Sequence, residues 1–112
     1  MNIQSVKEDL AYVISIDGEL DASSSIHLDK AIEQAVSNNE KNILIDCTNL
    51  KYISSAGLGV FMSYLQDFEN TGTSMILYNM SEKVKSVFSI LGLDQLIQIV
   101  RNKEEAIKTI SQ

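Results

Sequence analysis

The sequence predicts an α/β domain, with a largely parallel sheet of about five strands and about four helices. Three observations carry this. Short runs of strand-favouring residues alternate with stripes of apolar residues at helical spacing. Proline is absent and there are only five glycines, so no Ser/Gly-rich linker or repeat divides the chain. Its 112 residues match a common size for one independently folding domain, taken as 1–112.

The elements follow in order. Asn2 to Lys7 is a weak strand candidate. It is expected to run antiparallel to the stronger Ala11–Asp17 segment, where Tyr12, Val13, Ile14 and Ile16 favour strand, with Glu8-Asp9 between them. Asp17-Gly18 reads as a turn. From Ser25 the period changes: Leu28, Ala31, Ile32, Ala35 and Val36 form one helical stripe, with Ser23 to Ser25 as N-cap candidates and Ser37-Asn38-Asn39 as the stop. Asn42 to Asp46 is a short apolar run suited to a strand buried on both faces. A helix then follows Ser54-Ser55-Ala56-Gly57, with Leu58, Phe61, Met62, Leu65 and Phe68 along one side. Met75 to Tyr78 forms the next strand. Val84, Val87, Phe88 and Leu91 stripe the next helix, between Ser81 and Gly92. Ile97 to Val100 makes a final short strand. Asn102 and Glu105 are spaced as a capping box before Ala106, Ile107 and Ile110.

Composition narrows the function. Hydrophobic residues make up 45% and charged residues 21%, a globular balance. The net charge of −6 disfavours contact with phosphate backbones, so no nucleic-acid partner is expected. No apolar run reaches the roughly 18 residues of a membrane span, and no leader pattern opens the chain. The single cysteine, Cys47, excludes an internal disulfide. These features point to a cytoplasmic protein with no membrane partner.

Functional groups on parallel sheets gather beyond the carboxyl ends of the strands. Two such loops stand out: Gly18 to Ser23, and Tyr52 to Gly59. Ser55 falls at a helix start, where free N–H groups and the helix dipole favour negative charge. It reads as a helix cap, as a functional serine, or as both. Gly57 and Gly59 leave the first turn bare, which would let a partner's backbone approach. Asp21 reads as a helix-preceding Asx residue or as a polar contact for a partner, and Asp46 as a residue that ties down a loop.

Catalytic alternatives lack support. Gly57-Leu58-Gly59 begins like a phosphate-binding loop, but Met62 stands where the third glycine belongs, and no G-K-[ST] follows. Ile53 and Gly57 flank Ser55 where a nucleophile elbow needs two glycines. His27, the only histidine, sits in the first turn of a helix and reads as a surface residue. Cys47, His27 and the carboxylates show no metal-ligand spacing, and Cys47 reads as a small buried hydrophobe. No cofactor, metal or enzymatic activity is expected.

These loops resemble those of the STAS-domain anti-sigma factor antagonists of bacteria. The most specific stretch runs from Asp46 to Val60, where the family commonly carries Asp-Ser-[Ser/Thr/Ala]-Gly-Leu before a helix. Gly18-Glu19-Leu20-Asp21 and Phe88 to Asp94 match in order along nearly the whole chain. The resemblance implies a STAS-like fold with a single mixed, mostly parallel sheet, and a partner-switching role. In such a switch the unphosphorylated protein binds an anti-sigma factor that is also a serine kinase. Phosphorylation of one serine ends that interaction, and a serine phosphatase restores it. The acceptor stands two residues before the motif glycine, which places it on Ser55. The family often has Asp immediately before the acceptor; here Ser54 removes that charge and adds a second hydroxyl. The kinase is expected to dock on the surface around Asp21, Ser23, Ser54, Ser55, Gly57 and Gly59, with the exposed side of the following helix contributing. An alternative role is a constitutive STAS interaction subunit, in a signalling or lipid-transport assembly without phosphoswitching.

Overall fold

The computed structural model describes residues 2–111. A five-stranded sheet runs in the order β1 (Asn2–Lys7), β2 (Tyr12–Leu20), β3 (Asn42–Ile53), β4 (Ser74–Tyr78) and β5 (Gln98–Val100). β1 is antiparallel to β2, and every other neighbouring pair is parallel. The helices are α1 (Ser24–Ser37), α2 (Ser55–Ser63), α3 (Leu65–Thr71), α4 (Glu82–Ile90) and α5 (Lys103–Ile110), with a 3-10 turn at Leu93–Gln95. Counting α2 and α3 as one interrupted segment, these are the four helices expected.

Parallel neighbours in chain order require each crossover to pass over the sheet, and a constant right hand puts the crossovers on one face. The packing agrees. Ile14, Ile43, Ile45 and Leu77 form one core with Leu28 and Ile32 of α1, Leu58 and Phe61 of α2, Phe68 of α3, and Val84 and Phe88 of α4. Their strand neighbours Val13, Leu44, Ile76 and Tyr78 point the other way and are covered by α5 through Ala106. The middle of β3 is thus buried on both sides, as its continuous apolar run implies. Lys103 Nζ lies 2.8 Å from Glu8 Oε1, linking α5 to the turn between β1 and β2.

Three local expectations are corrected. Asp17-Gly18 is not a turn: β2 runs on to Leu20, pairing Gly18 with Leu50 and Leu20 with Ile53. Gly18 has φ of 114°, so its conformational freedom serves a bulge rather than a chain reversal. β3 likewise does not end at Asp46. Two register shifts against β2 replace alternation, so Cys47, Leu50 and Ile53 are buried at every third position, and the segment has no strand period to read. Asp46 therefore sits within the strand. It does accept locally, from Thr48 N at 3.0 Å and from Thr48 Oγ1.

The third correction concerns the long central stripe, which is interrupted at Tyr64. The Tyr64 hydroxyl donates to Asp29 Oδ1 on α1 at 2.7 Å, and its ring stacks on Phe68 with centroids 5.3 Å apart. A contact between distant parts of the chain thus lies at the break.

Candidate functional site

The site lies at the carboxyl ends of β2 and β3, where two short connections meet. Ser54 N donates to the Leu20 carbonyl at 2.8 Å, joining the start of α2 to the residue before Asp21. The two loops singled out in the sequence are thereby brought side by side. The Leu20 carbonyl is the part of this junction that sequence reasoning missed, because a backbone acceptor leaves no residue-type signal.

Each loop opens a helix, and neither Ser23 nor Ser55 provides the cap. Ahead of α1, Ser23 makes no side-chain cap bond. Asp21 Oδ1 instead accepts from Ser24 N at 2.9 Å and from Ser23 Oγ at 3.0 Å, with Ser24 Oγ also 2.9 Å away. These bonds, led by the Ser24 amide, hold the Asp21 carboxyl below the usual carboxylate range. Asp21 thus takes the structural Asx role and remains exposed. Ser24 and Ser25 are buried, and their hydroxyls donate to the Glu19 carbonyl at 2.7 Å and the Asp21 carbonyl at 2.6 Å.

Ahead of α2, the cap is Ser54 and not Ser55. Ser54 has extended backbone, with φ −91° and ψ 172°, and its side chain accepts from Gly57 N at 3.3 Å. Ser55 is the first helical residue and is exposed. The N–H groups of a first turn have no acceptor within their own helix, and this turn carries no acidic residue. An added anion would therefore be favoured by the helix end rather than repelled by it.

The two glycines part company. Gly59 is exposed, and a Cβ there would meet nothing within 4 Å. Gly57 is buried, which contradicts the expectation that it bares the first turn to a partner. A Cβ on Gly57 would come to 3.0 Å from Ile53 Cγ1 and 3.1 Å from Leu20 Cβ. Its glycine lets α2 settle on the end of β2. Asp21, Ser23, Ser55 and Gly59 are exposed and Ser54 is half-buried.

His27 is exposed on α1, and no hydrogen bond joins it to Ser55 among the described residues. Cys47 is fully buried, and burial together with the nearby Asp46 pushes its thiol up to about 12. Among the described residues, no three His, Cys, Asp or Glu side chains group as a metal site would require. No helix among them is long and apolar enough to cross a membrane.

The STAS domain family model matches residues 2–106. The chain belongs to the STAS domain family. This STAS domain is 24% identical over 104 residues to the anti-sigma-B factor antagonist of Staphylococcus aureus (strain NCTC 8325 / PS 47), covering 93% of this chain and 96% of that protein. Its fold matches an anti-sigma factor antagonist structure from Thermotoga maritima with a TM-score of 0.90 at 21% identity, covering 98% and 95% of the two chains. It also matches the anti-sigma factor antagonist SpoIIAA in its unphosphorylated form, with a TM-score of 0.76 at 22% identity and 98% coverage of both chains. The phosphorylated form of SpoIIAA matches with a TM-score of 0.72 at 24% identity, covering 97% and 99%. The five-stranded mixed sheet expected from the sequence is thus the STAS fold.

Proposed function

We propose that this STAS domain is an anti-sigma factor antagonist that switches partners through phosphorylation of Ser55. The observation that carries the proposal is the position of Ser55: exposed, first in α2, and fixed by the Ser54 cap and the Leu20 tether. The names of its relatives support the same reading, and SpoIIAA has been solved both with and without its phosphate. The protein acts by binding and performs no catalysis of its own.

In this reading the unphosphorylated form docks an anti-sigma factor serine kinase on the surface around Asp21, Ser23, Ser54, Ser55 and Gly59, with the outer side of α2 contributing. The kinase then transfers phosphate to Ser55. The new group carries about −1.5 to −2 charge at neutral pH. Leaving a charge unpaired in a protein interface costs on the order of 3 kcal/mol, and about 1.4 kcal/mol is tenfold in affinity. Local repulsion and desolvation therefore end the complex without refolding. A serine phosphatase removes the group and restores the binding form, and the exchange takes place in the cytoplasm.

The test is binding of Ser55→Ala and Ser55→Asp to the anti-sigma factor kinase of the source organism. Ser55→Ala is expected to bind like the unmodified protein, and Ser55→Asp at least tenfold more weakly, corresponding to about 1.4 kcal/mol. Equal binding by both variants defeats the switch and favours a constitutive interaction subunit.

A further inference from the structure

Two adjacent hydroxyls stand at the proposed modification site, and they are held in different ways. We propose that Ser54 is a positioning residue for phosphorylation at Ser55 and is not a second acceptor; this rests on the phosphoswitch reading above. All three polar groups of Ser54 are engaged in setting α2 on the sheet. Its N–H donates to the Leu20 carbonyl at 2.8 Å, its carbonyl accepts from Leu58 N at 3.0 Å, and its Oγ accepts from Gly57 N at 3.3 Å. The same three-residue cap recurs at Ser81, which accepts from Val84 N at 3.2 Å, and at Asn102, which accepts from Glu105 N at 2.9 Å. Ser54 is built as those structural caps are built.

Phosphoryl transfer needs a serine oxygen that can offer a lone pair to phosphorus. The Oγ–P bond forms, the bond from the γ-phosphorus of ATP to its bridging oxygen breaks, ADP leaves, and the hydroxyl proton passes to a base on the kinase. One of the two lone pairs on the Ser54 oxygen is taken by the Gly57 amide, and the residue is half-buried. That amide has little freedom to retreat, because Gly57 is packed on Leu20 and Ile53 too closely for even a Cβ. Ser55 carries no such duty and faces solvent. The arrangement also accounts for serine at a position where aspartate is common in the family. Both residues serve well as N-caps, so the replacement keeps the cap and loses only the charge.

The experiment treats the wild type, Ser54→Ala, Ser54→Asp and Ser55→Ala with the anti-sigma factor kinase of the source organism and Mg-ATP. It reads intact mass, the mapped site, KM, kcat and hydrogen exchange at the Gly57 amide. The wild type is expected to gain one phosphate, on Ser55, and Ser55→Ala none. Ser54→Asp keeps a cap, so its Gly57 amide should exchange with solvent as slowly as that of the wild type. Ser54→Ala should raise KM by up to about fivefold with kcat retained, because losing a cap lowers the population of the competent first turn. A phosphate on Ser54 in the Ser55→Ala protein overturns the proposal. So does a Gly57 amide that exchanges as fast in Ser54→Asp as in Ser54→Ala, or a Ser54→Ala protein equal to the wild type in KM. If the wild type gains no phosphate, the phosphoswitch reading itself fails. Hydrogen exchange at the Gly57 amide then decides the cap: faster exchange in Ser54→Ala alone supports it, and unchanged exchange in both variants removes it.

Discussion

Gly57 and Gly59 lie two residues apart on one helix and do opposite things. Gly57 is where α2 presses on β2, and Gly59 is where the helix faces open space. Gly57→Ala should therefore destabilise the fold by about 1–3 kcal/mol, the range for forcing an extra carbon into a packed contact. Gly59→Ala should stabilise it by about 0.5–1 kcal/mol, since alanine is the better residue in an open helix. Urea unfolding of the two variants checks both signs. If Gly59 serves close approach of a partner, its alanine variant will also bind the kinase more weakly while being the more stable protein. The sequence alone could not separate the two glycines, because the direction each faces depends on where Leu20 lies. The same limit applied to the caps. Polar residues at both helix starts were legible as cap candidates, but Asp21 and Ser54 took those roles through bonds whose geometry was not.

Among the elements, the interruption between α2 and α3 is the feature furthest from local expectation. The apolar stripe from Leu58 to Phe68 continues across it, so periodicity reads one helix. The chain breaks at Tyr64, where the hydroxyl reaches Asp29 on α1 at 2.7 Å. Replacing Tyr64 by Phe keeps the ring against Phe68 and removes only that bond. It should lower stability by about 1 kcal/mol in urea unfolding, the usual net worth of such a hydrogen bond. Unfolding indistinguishable from the wild type would show that the bond to Asp29 adds no net stability. β3 shows the complementary case. Its first half was visible as a two-sided apolar run, and its second half was hidden because the register shifts replace alternation with a three-residue spacing.

For the whole molecule, the sheet separates two cores, a larger one under α1 to α4 and a smaller one under α5. Cys47 lies in the larger core, with its thiol pushed up to about 12. The thiolate is the reactive form, so an aromatic disulfide reagent at mildly alkaline pH should leave Cys47 untouched in the folded protein. Reaction should appear only at the rate of global unfolding. Fast labelling under native conditions would mean that this end of the sheet opens locally.

The sequence by itself determined the class of fold, the order of its elements and the two loops that matter, because hydrophobic period and turn chemistry are local properties. Its resemblance to the STAS antagonists placed the proposed acceptor at Ser55, and the family match over residues 2–106 agrees with that assignment of family. Only the tertiary structure decided how the two loops meet, which serine caps α2, and which glycine is buried. Each of those depends on the Leu20 end of β2 lying against the start of α2. That contact joins residues more than thirty positions apart, through a backbone carbonyl and a missing Cβ. Neither feature carries a side-chain signature, so no local pattern could reveal them.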